Sequence, residues 1–145
     1  MKKIFNQLLS VVLACVFTAC QDSSLLTIGG LKCEMLVSPL AIDNTSPHFS
    51  WQMSSKQKGA VSTAYQILVA TSLDKLNEEE ADLWNTGKVA DAASVGITYG
   101  GKPLASRSLA YWKVRVWNQN DEASDWSKPT LFGIGLLSDQ DWAGN

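Results

Sequence analysis

The sequence predicts an all-β protein in which two packed sheets form one sandwich. Three observations carry this. Apolar and polar side chains alternate in several short stretches, and clusters of Gly, Pro, Asn, Asp and Ser separate those stretches at regular intervals. Removing the N-terminal residues 1–19, whose character is distinct, leaves 126 of the 145 residues, which is enough for one hydrophobic core and little more.

Residues 1–19 read as a signal peptide. Lys2 and Lys3 supply the positive start, and the apolar stretch Leu8 to Phe17 is too short to span a bilayer. Thr18 and Ala19 precede Cys20, and small residues before a cysteine resemble a bacterial lipobox, which makes Cys20 the expected lipidation site. Phe17 stands where such sites usually carry Leu, Val or Ile, Cys15 is a weaker rival, and an ordinary cleavage near Ala19 is the alternative. Residues 20–30 read as a tether. The localisation this implies is an outer-membrane lipoprotein facing the periplasm or the cell surface.

The sandwich is expected over residues 31–136. Leu31, Cys33 and Met35 alternate with Lys32 and Glu34, and a turn through Asp43 to Pro47 follows. Phe49, Trp51 and Met53 alternate with Ser50 and Gln52, the period-two pattern of a strand with one buried face. Tyr65, Ile67 and Val69 mark a central strand, with Gln66 on the opposite face. Between Ser72 and Asp82 the spacing of Leu73 and Leu76, a capping Thr71 or Ser72, and Glu78 to Glu80 predict a short helical insertion.

Leu83 and Trp84 lead into an Asn85-Thr86-Gly87 turn, and Val95, Ile97 and Tyr99 then alternate up to Gly100-Gly101. The run from Ala110 to Asn118 has the strongest pattern, with Trp112, Val114 and Val116 on one face and Tyr111, Lys113, Arg115 and Trp117 on the other. Trp126 to Pro129 opens the last strand, placed at an edge because Pro129 has no N–H to donate, and Leu131 to Gly135 completes it. Residues 137–145 read as the start of a linker.

Composition excludes several classes. Cleavage after Ala19 takes Lys2 and Lys3 with it and moves the formal charge from −2 to −4, with the remaining cations scattered among acids, so no nucleic-acid surface is expected. Only Cys33 remains beyond the signal region and Cys20, so packing rather than a disulfide must hold the domain; in its alternating stretch Cys33 is a small apolar core residue. No metal ligand set and no cofactor site is called for.

Several ordered blocks resemble one family. Leu31-Lys32-Cys33-Glu34, Pro39-Leu40-Ala41-Ile42-Asp43 and Pro47-His48-Phe49-Ser50-Trp51-Gln52 look like the opening of bacterial α-L-rhamnosidases of glycoside hydrolase family 78. Thr63 to Ala70, Leu83 to Val89, Tyr111 to Trp117, Gly135-Leu136-Leu137 and Asp141-Trp142 follow in the same order. The resemblance implies a fibronectin type III or immunoglobulin-like module of an inverting rhamnosidase, with further β-sandwich domains and an (α/α)6 catalytic barrel as its downstream partners. Family members run on beyond the equivalent of Asp141-Trp142, so an end at Asn145 suggests a fragment or an interrupted frame. Tyr111 is one residue out of phase with the corner tyrosine of such sandwiches, whose place is taken by Ala110.

Catalytic residues are not expected in this chain. Inverting hydrolysis needs two carboxyl groups facing each other across about 6.5–9.5 Å, and no such pair is recognisable. His48, the sole histidine, would need Ser46 or Ser50 with Asp43 for a triad, and sequence proximity is a poor warrant for one. Glu78 to Glu80 read as a solvated face, and the Asn44-Thr45-Ser46 sequon as coincidence in an exported bacterial protein. Trp51 and Trp112 fall on core phases, whereas Trp84, Trp117, Trp126 and Trp142 are candidates to meet a sugar or a neighbouring domain. The leading expectation is a lipid-anchored, non-catalytic module of an exported α-L-rhamnosidase; the alternative is a free-standing module that binds rhamnose-containing glycans or mediates adhesion.

Overall fold

A computed structural model describes residues 26–138 and Asp141; the signal segment, Cys20, Trp142 and most of the C-terminal tail lie outside the described residues. Seven strands form in chain order: β1 (Thr27–Cys33), β2 (His48–Ser54), β3 (Ser62–Ala70), β4 (Trp84–Asn85), β5 (Ile97–Thr98), β6 (Leu109–Asn118) and β7 (Thr130–Gly133). A three-stranded sheet has the order β1-β2-β5, and a four-stranded sheet the order β4-β3-β6-β7. Every strand pairing is antiparallel.

The alternation that predicts the strands also builds the core. Phe49 and Trp51 from the first sheet meet Tyr65, Ile67, Val69, Trp112, Val114, Val116 and Phe132 from the second. Phe49 is at the centre: its ring lies 4.4 Å from Trp112, 5.5 Å from Phe132 and 6.3 Å from Tyr99. Offset and edge-to-face contacts of this kind add to the stabilisation from area burial alone. Cys33 is buried as expected, and burial, followed by the nearby charge of Glu34, pushes its thiol up to about 12, leaving it unreactive.

Several local expectations are corrected. Residues 72–82 form turns and no α-helix. Asn77 caps a single turn, its side-chain oxygen accepting from the amides of Glu79 and Glu80 while the Ala81 amide donates to the Asn77 carbonyl, and the turn is not continued. Only Leu76 of this segment is buried as a hydrophobic anchor, against Leu68 and Ala70, while Leu73 faces solvent. One anchored position gives a loop, not an amphipathic stripe.

Met35 does not continue the buried face of Leu31 and Cys33. Cys33 and Leu36 exchange backbone hydrogen bonds of 2.9 Å around Glu34 (φ 51°) and Met35 (φ 63°), a two-residue hairpin turn that throws Met35 into solvent. The stretch around Val95 to Tyr99 pairs over only two residues, Ile97 and Thr98, because the amide of Gly96 bonds to the Ser50 hydroxyl and leaves the ladder. β1 begins at Thr27, inside the stretch read as tether.

The 34–42 segment crosses from the first sheet to the second. The Glu34 carboxylate accepts hydrogen bonds from the Asn44 side chain at 3.0 Å and the His48 amide at 2.8 Å, and sits 3.0 Å from His48 Nδ1. Ile42 then lies parallel to Ile134, and the Gly133 amide donates to the Pro39 carbonyl. A Cβ on Gly133 would stand 2.3 Å from the Leu40 carbonyl oxygen, so this crossing requires glycine.

Candidate functional site: the tryptophan–arginine face of the four-stranded sheet

The pleat of β6 sends Lys113, Arg115 and Trp117 to the face opposite the core. Beyond β7, residues 123–127 continue the sheet along β6. The Val114 and Val116 amides donate to the hydroxyls of Ser127 (3.1 Å) and Ser124 (3.0 Å), and the amides of those serines donate back to the Val114 and Val116 carbonyls. Two serine hydroxyls thus stand where a strand would offer carbonyls, and between them Trp126 lies over the side chains of β6.

The result is a stack of rings and cations. The Arg115 guanidinium carbon lies 4.6 Å from the Trp126 ring centroid and 4.9 Å from that of Trp117. Lys113 Nζ lies 4.9 Å from Trp126, and Lys88 Nζ the same distance from Trp117. Arg115 Nε donates to Gln66 Oε1 at 3.1 Å, Arg115 also pairs with Glu78, and Gln66 Nε2 donates to Asn85 Oδ1 at 2.9 Å. Burial lowers the Lys113 ammonium from its ordinary value, with Arg115 adding repulsion and Glu78 opposing both.

The tryptophans singled out in sequence therefore have distinct surroundings. Trp84 is half-buried at the core margin, 5.2 Å from Tyr99 and 6.4 Å from Phe49. Trp117 is only 9 % exposed, under Lys88 and Arg115. Trp126 is half-buried between the cations and the cluster around Leu68, Ala70 and Leu76. The face brings Trp117 and Trp126 together through Arg115, while Trp84 belongs to the other side of the sheet. Arg115, Lys88 and Gln66 were not singled out from sequence; the signal for this stack was the outward Lys113-Arg115-Trp117 alternation beside Ser124-Asp125-Trp126-Ser127.

The carboxylates serve the loops. Burial acts to raise Asp82, but hydrogen bonds from the Thr71 hydroxyl and amide and from Lys75 prevail and hold it well below the ordinary carboxylate range. Glu34 is lowered in the same way, its bonds from His48 and Asn44 overcoming burial. Asp141 is lowered chiefly by the Ser106 hydroxyl and then by Ser138. A general acid requires a carboxyl raised toward neutrality, and these three move the other way. Among the described residues no three His, Cys, Asp or Glu side chains gather as a metal site. Hollows of about 390 and 420 Å³, around Ala60 and around Pro103, are lined without a carboxylate or a histidine. His48, the first residue of β2, is tied to Glu34.

Tyr99 was read only as a strand residue. Its hydroxyl donates to the Lys102 carbonyl at 2.7 Å, tying down the Gly100-Gly101 turn, a task that Tyr111 on the opposite face does not perform for its own corner.

Two antiparallel sheets of three and four strands around one aromatic core, with the polar machinery devoted to its loops, define an immunoglobulin-like sandwich module. Residues 28–138 match the family model described as "Rha78A-like, N-terminal immunoglobulin domain". An α-L-rhamnosidase of Formosa agariphila is 45 % identical over 105 residues, covering 72 % of this chain and 11 % of that protein. A second from the same organism is 38 % identical over 150 residues, covering 97 % and 16 %. The crystal structure of Streptomyces avermitilis α-L-rhamnosidase complexed with L-rhamnose superposes with a TM-score of 0.78 at 36 % identity, covering 81 % of this chain and 11 % of that one. The enzyme from Dictyoglumus thermophilum gives 0.76 at 38 % identity, covering 80 % and 13 %. The chain belongs to this family of N-terminal immunoglobulin-like domains of α-L-rhamnosidases, and it spans 11–16 % of the length of these Formosa relatives.

Proposed function

We propose that the chain is the non-catalytic N-terminal module of an exported, lipid-anchored α-L-rhamnosidase that removes terminal α-L-rhamnosyl residues, with hydrolysis performed by domains beyond this one. The observation that carries the reading is the family match over nearly the whole sandwich, in a domain whose lowered carboxylates are all committed to loop hydrogen bonds. Incubation of the purified chain with an aryl α-L-rhamnoside tests it: no rhamnose release is expected, and turnover that survives repurification contradicts it.

The topology supports a module placed in line between an anchor and an enzyme. Thr27 pairs with Ser54 at one pole of the sandwich, whereas the chain leaves through Gly135 and Leu137 beside Ile42, Ser106 and Arg107 at the other. Strands of seven to ten residues separate the poles by roughly 25 Å at about 3.3 Å per residue. Attachment through Cys20 would hold the entry pole toward the outer membrane and direct the exit pole away from it. Metabolic labelling with a radioactive fatty acid is expected to mark the wild-type chain and not Cys20→Ser; equal labelling of the two contradicts this anchor.

A further inference from the structure

Five of the eight large apolar side chains most exposed among the described residues lie on the hairpin after β1, the crossing segment and the start of β6: Met35, Leu36, Val37, Leu40 and Leu109. Val37 is 72 % and Leu40 70 % exposed. The first four lie on the hairpin and crossing segment, and Gly133 brings the Leu40 backbone and the Leu109 side chain together, since both would crowd a Cβ placed there. Apolar side chains exposed on adjoining segments mark an interaction surface.

The surface is also held in place before anything covers it. The Glu34 carboxylate fixes the hairpin through Asn44 and His48, the Ser38 and Thr130 hydroxyls bond at 2.8 Å, and the Pro39 and Ile42 backbones are bonded to β7. Glu34, Met35 and Ser38 all take positive φ, a backbone region that costs non-glycine residues about 1 kcal/mol or more each. Rigidity at such a cost lowers the entropy lost on docking.

What lies next to this surface is the polypeptide itself. Gly135 donates to the Ile42 carbonyl, Arg107 donates to the Gly135 carbonyl, and Leu137 donates to the Ser106 hydroxyl, so the chain emerges from the sandwich alongside Leu40 and Leu109. In the relatives most of the enzyme lies outside the matched segment. A domain joined there is present at high effective concentration, so a patch of five side chains rimmed by Ser38, Thr130 and Arg107 suffices to seat it.

We propose that Met35, Leu36, Val37, Leu40 and Leu109 form the seat on which the next domain of the same rhamnosidase polypeptide docks, an inference that rests on the module reading above. Hydroxyl-radical footprinting tests it on two proteins: the full chain alone, and the full chain joined to the remainder of the 38 %-identical Formosa agariphila enzyme in place of its own matching segment. Labelling of residues 35–40 and Leu109 is expected to fall about fivefold or more in the joined protein, as for side chains entering an interface core, with Val61 and Val95 unchanged. Undiminished labelling overturns the proposal, as does protection already present in the free chain together with a dimer in sedimentation, which would give the surface to a second copy. Should the joined protein fail to fold, the intact Streptomyces avermitilis enzyme decides: free labelling of the segment that superposes on residues 35–40 overturns the proposal, and protection upholds it. Rhamnoside hydrolysis by a joined protein whose patch stays labelled would discard the seat and keep the module reading; a folded joined protein without hydrolysis would count against the module reading itself.

Discussion

Ser124 and Ser127 show how much of this sandwich depends on single polar atoms. Each hydroxyl accepts a hydrogen bond from a buried β6 amide that has no strand carbonyl opposite it, and each serine is itself buried. Ser127→Ala leaves the Val114 amide without its partner and is expected to cost about 1–3 kcal/mol, the desolvation penalty of an unpaired buried donor. Urea denaturation followed by tryptophan fluorescence measures it, and an unchanged midpoint would contradict the assignment. The role of these serines is not legible in sequence, where Trp126 to Pro129 reads as the opening of the last strand; that strand instead begins at Thr130, and Ser124 and Ser127 line the edge of β6 before it. Hydroxyls that imitate backbone acceptors leave no periodic trace. The core aromatics were legible, because Phe49, Trp51 and Trp112 each occupy the apolar phase of an alternating run.

The elements are long and well specified where alternation persists and short where a side chain diverts the backbone. β2, β3 and β6 fall close to their expected places, while β4 and β5 shrink to two residues each and the 72–82 segment winds into turns around Asn77. Periodicity does not report a side chain that takes over a backbone hydrogen bond. Three ionised carboxylates secure the loose ends of these elements: Glu34 the hairpin after β1, Asp82 the loop after β3, and Asp141 the exit segment. Each is lowered relative to its ordinary value. Because the folded state binds these protons less readily than the unfolded chain, their stabilisation is complete above the ordinary carboxylate range near pH 4 and is lost as the pH falls through and below it. The melting temperature is expected to be level between about pH 7 and 5 and to drop below about pH 4, with a smaller drop in Asp82→Asn. A melting temperature that rises on acidification would contradict this.

At the scale of the whole molecule, one-dimensional pattern defines two stacked sheets because each strand has a single buried face, and a residue's face follows from its parity. Where the polypeptide enters and leaves the sandwich did not follow from pattern. Entry and exit at opposite poles depend on the strand order β4-β3-β6-β7 and on the parallel seam between Ile42 and Ile134, both set by contacts far apart in sequence. The outward face was half legible: the alternation of Lys113, Arg115 and Trp117 marked it, but not that Arg115 would be stacked between Trp117 and Trp126. That stack turns aromatic surface toward cations of the same domain, and Trp84 toward Phe49 and Tyr99.

The rings of Trp84, Trp117 and Trp126 pack against the core and against cations of the same sandwich, and no sugar contact is expected of them. Titration of the full chain with L-rhamnose and with a rhamnose-rich polysaccharide, read by intrinsic tryptophan fluorescence, tests this most directly. A flat response to both is predicted. A saturable shift, abolished by Trp126→Ala with the melting temperature retained, would contradict it.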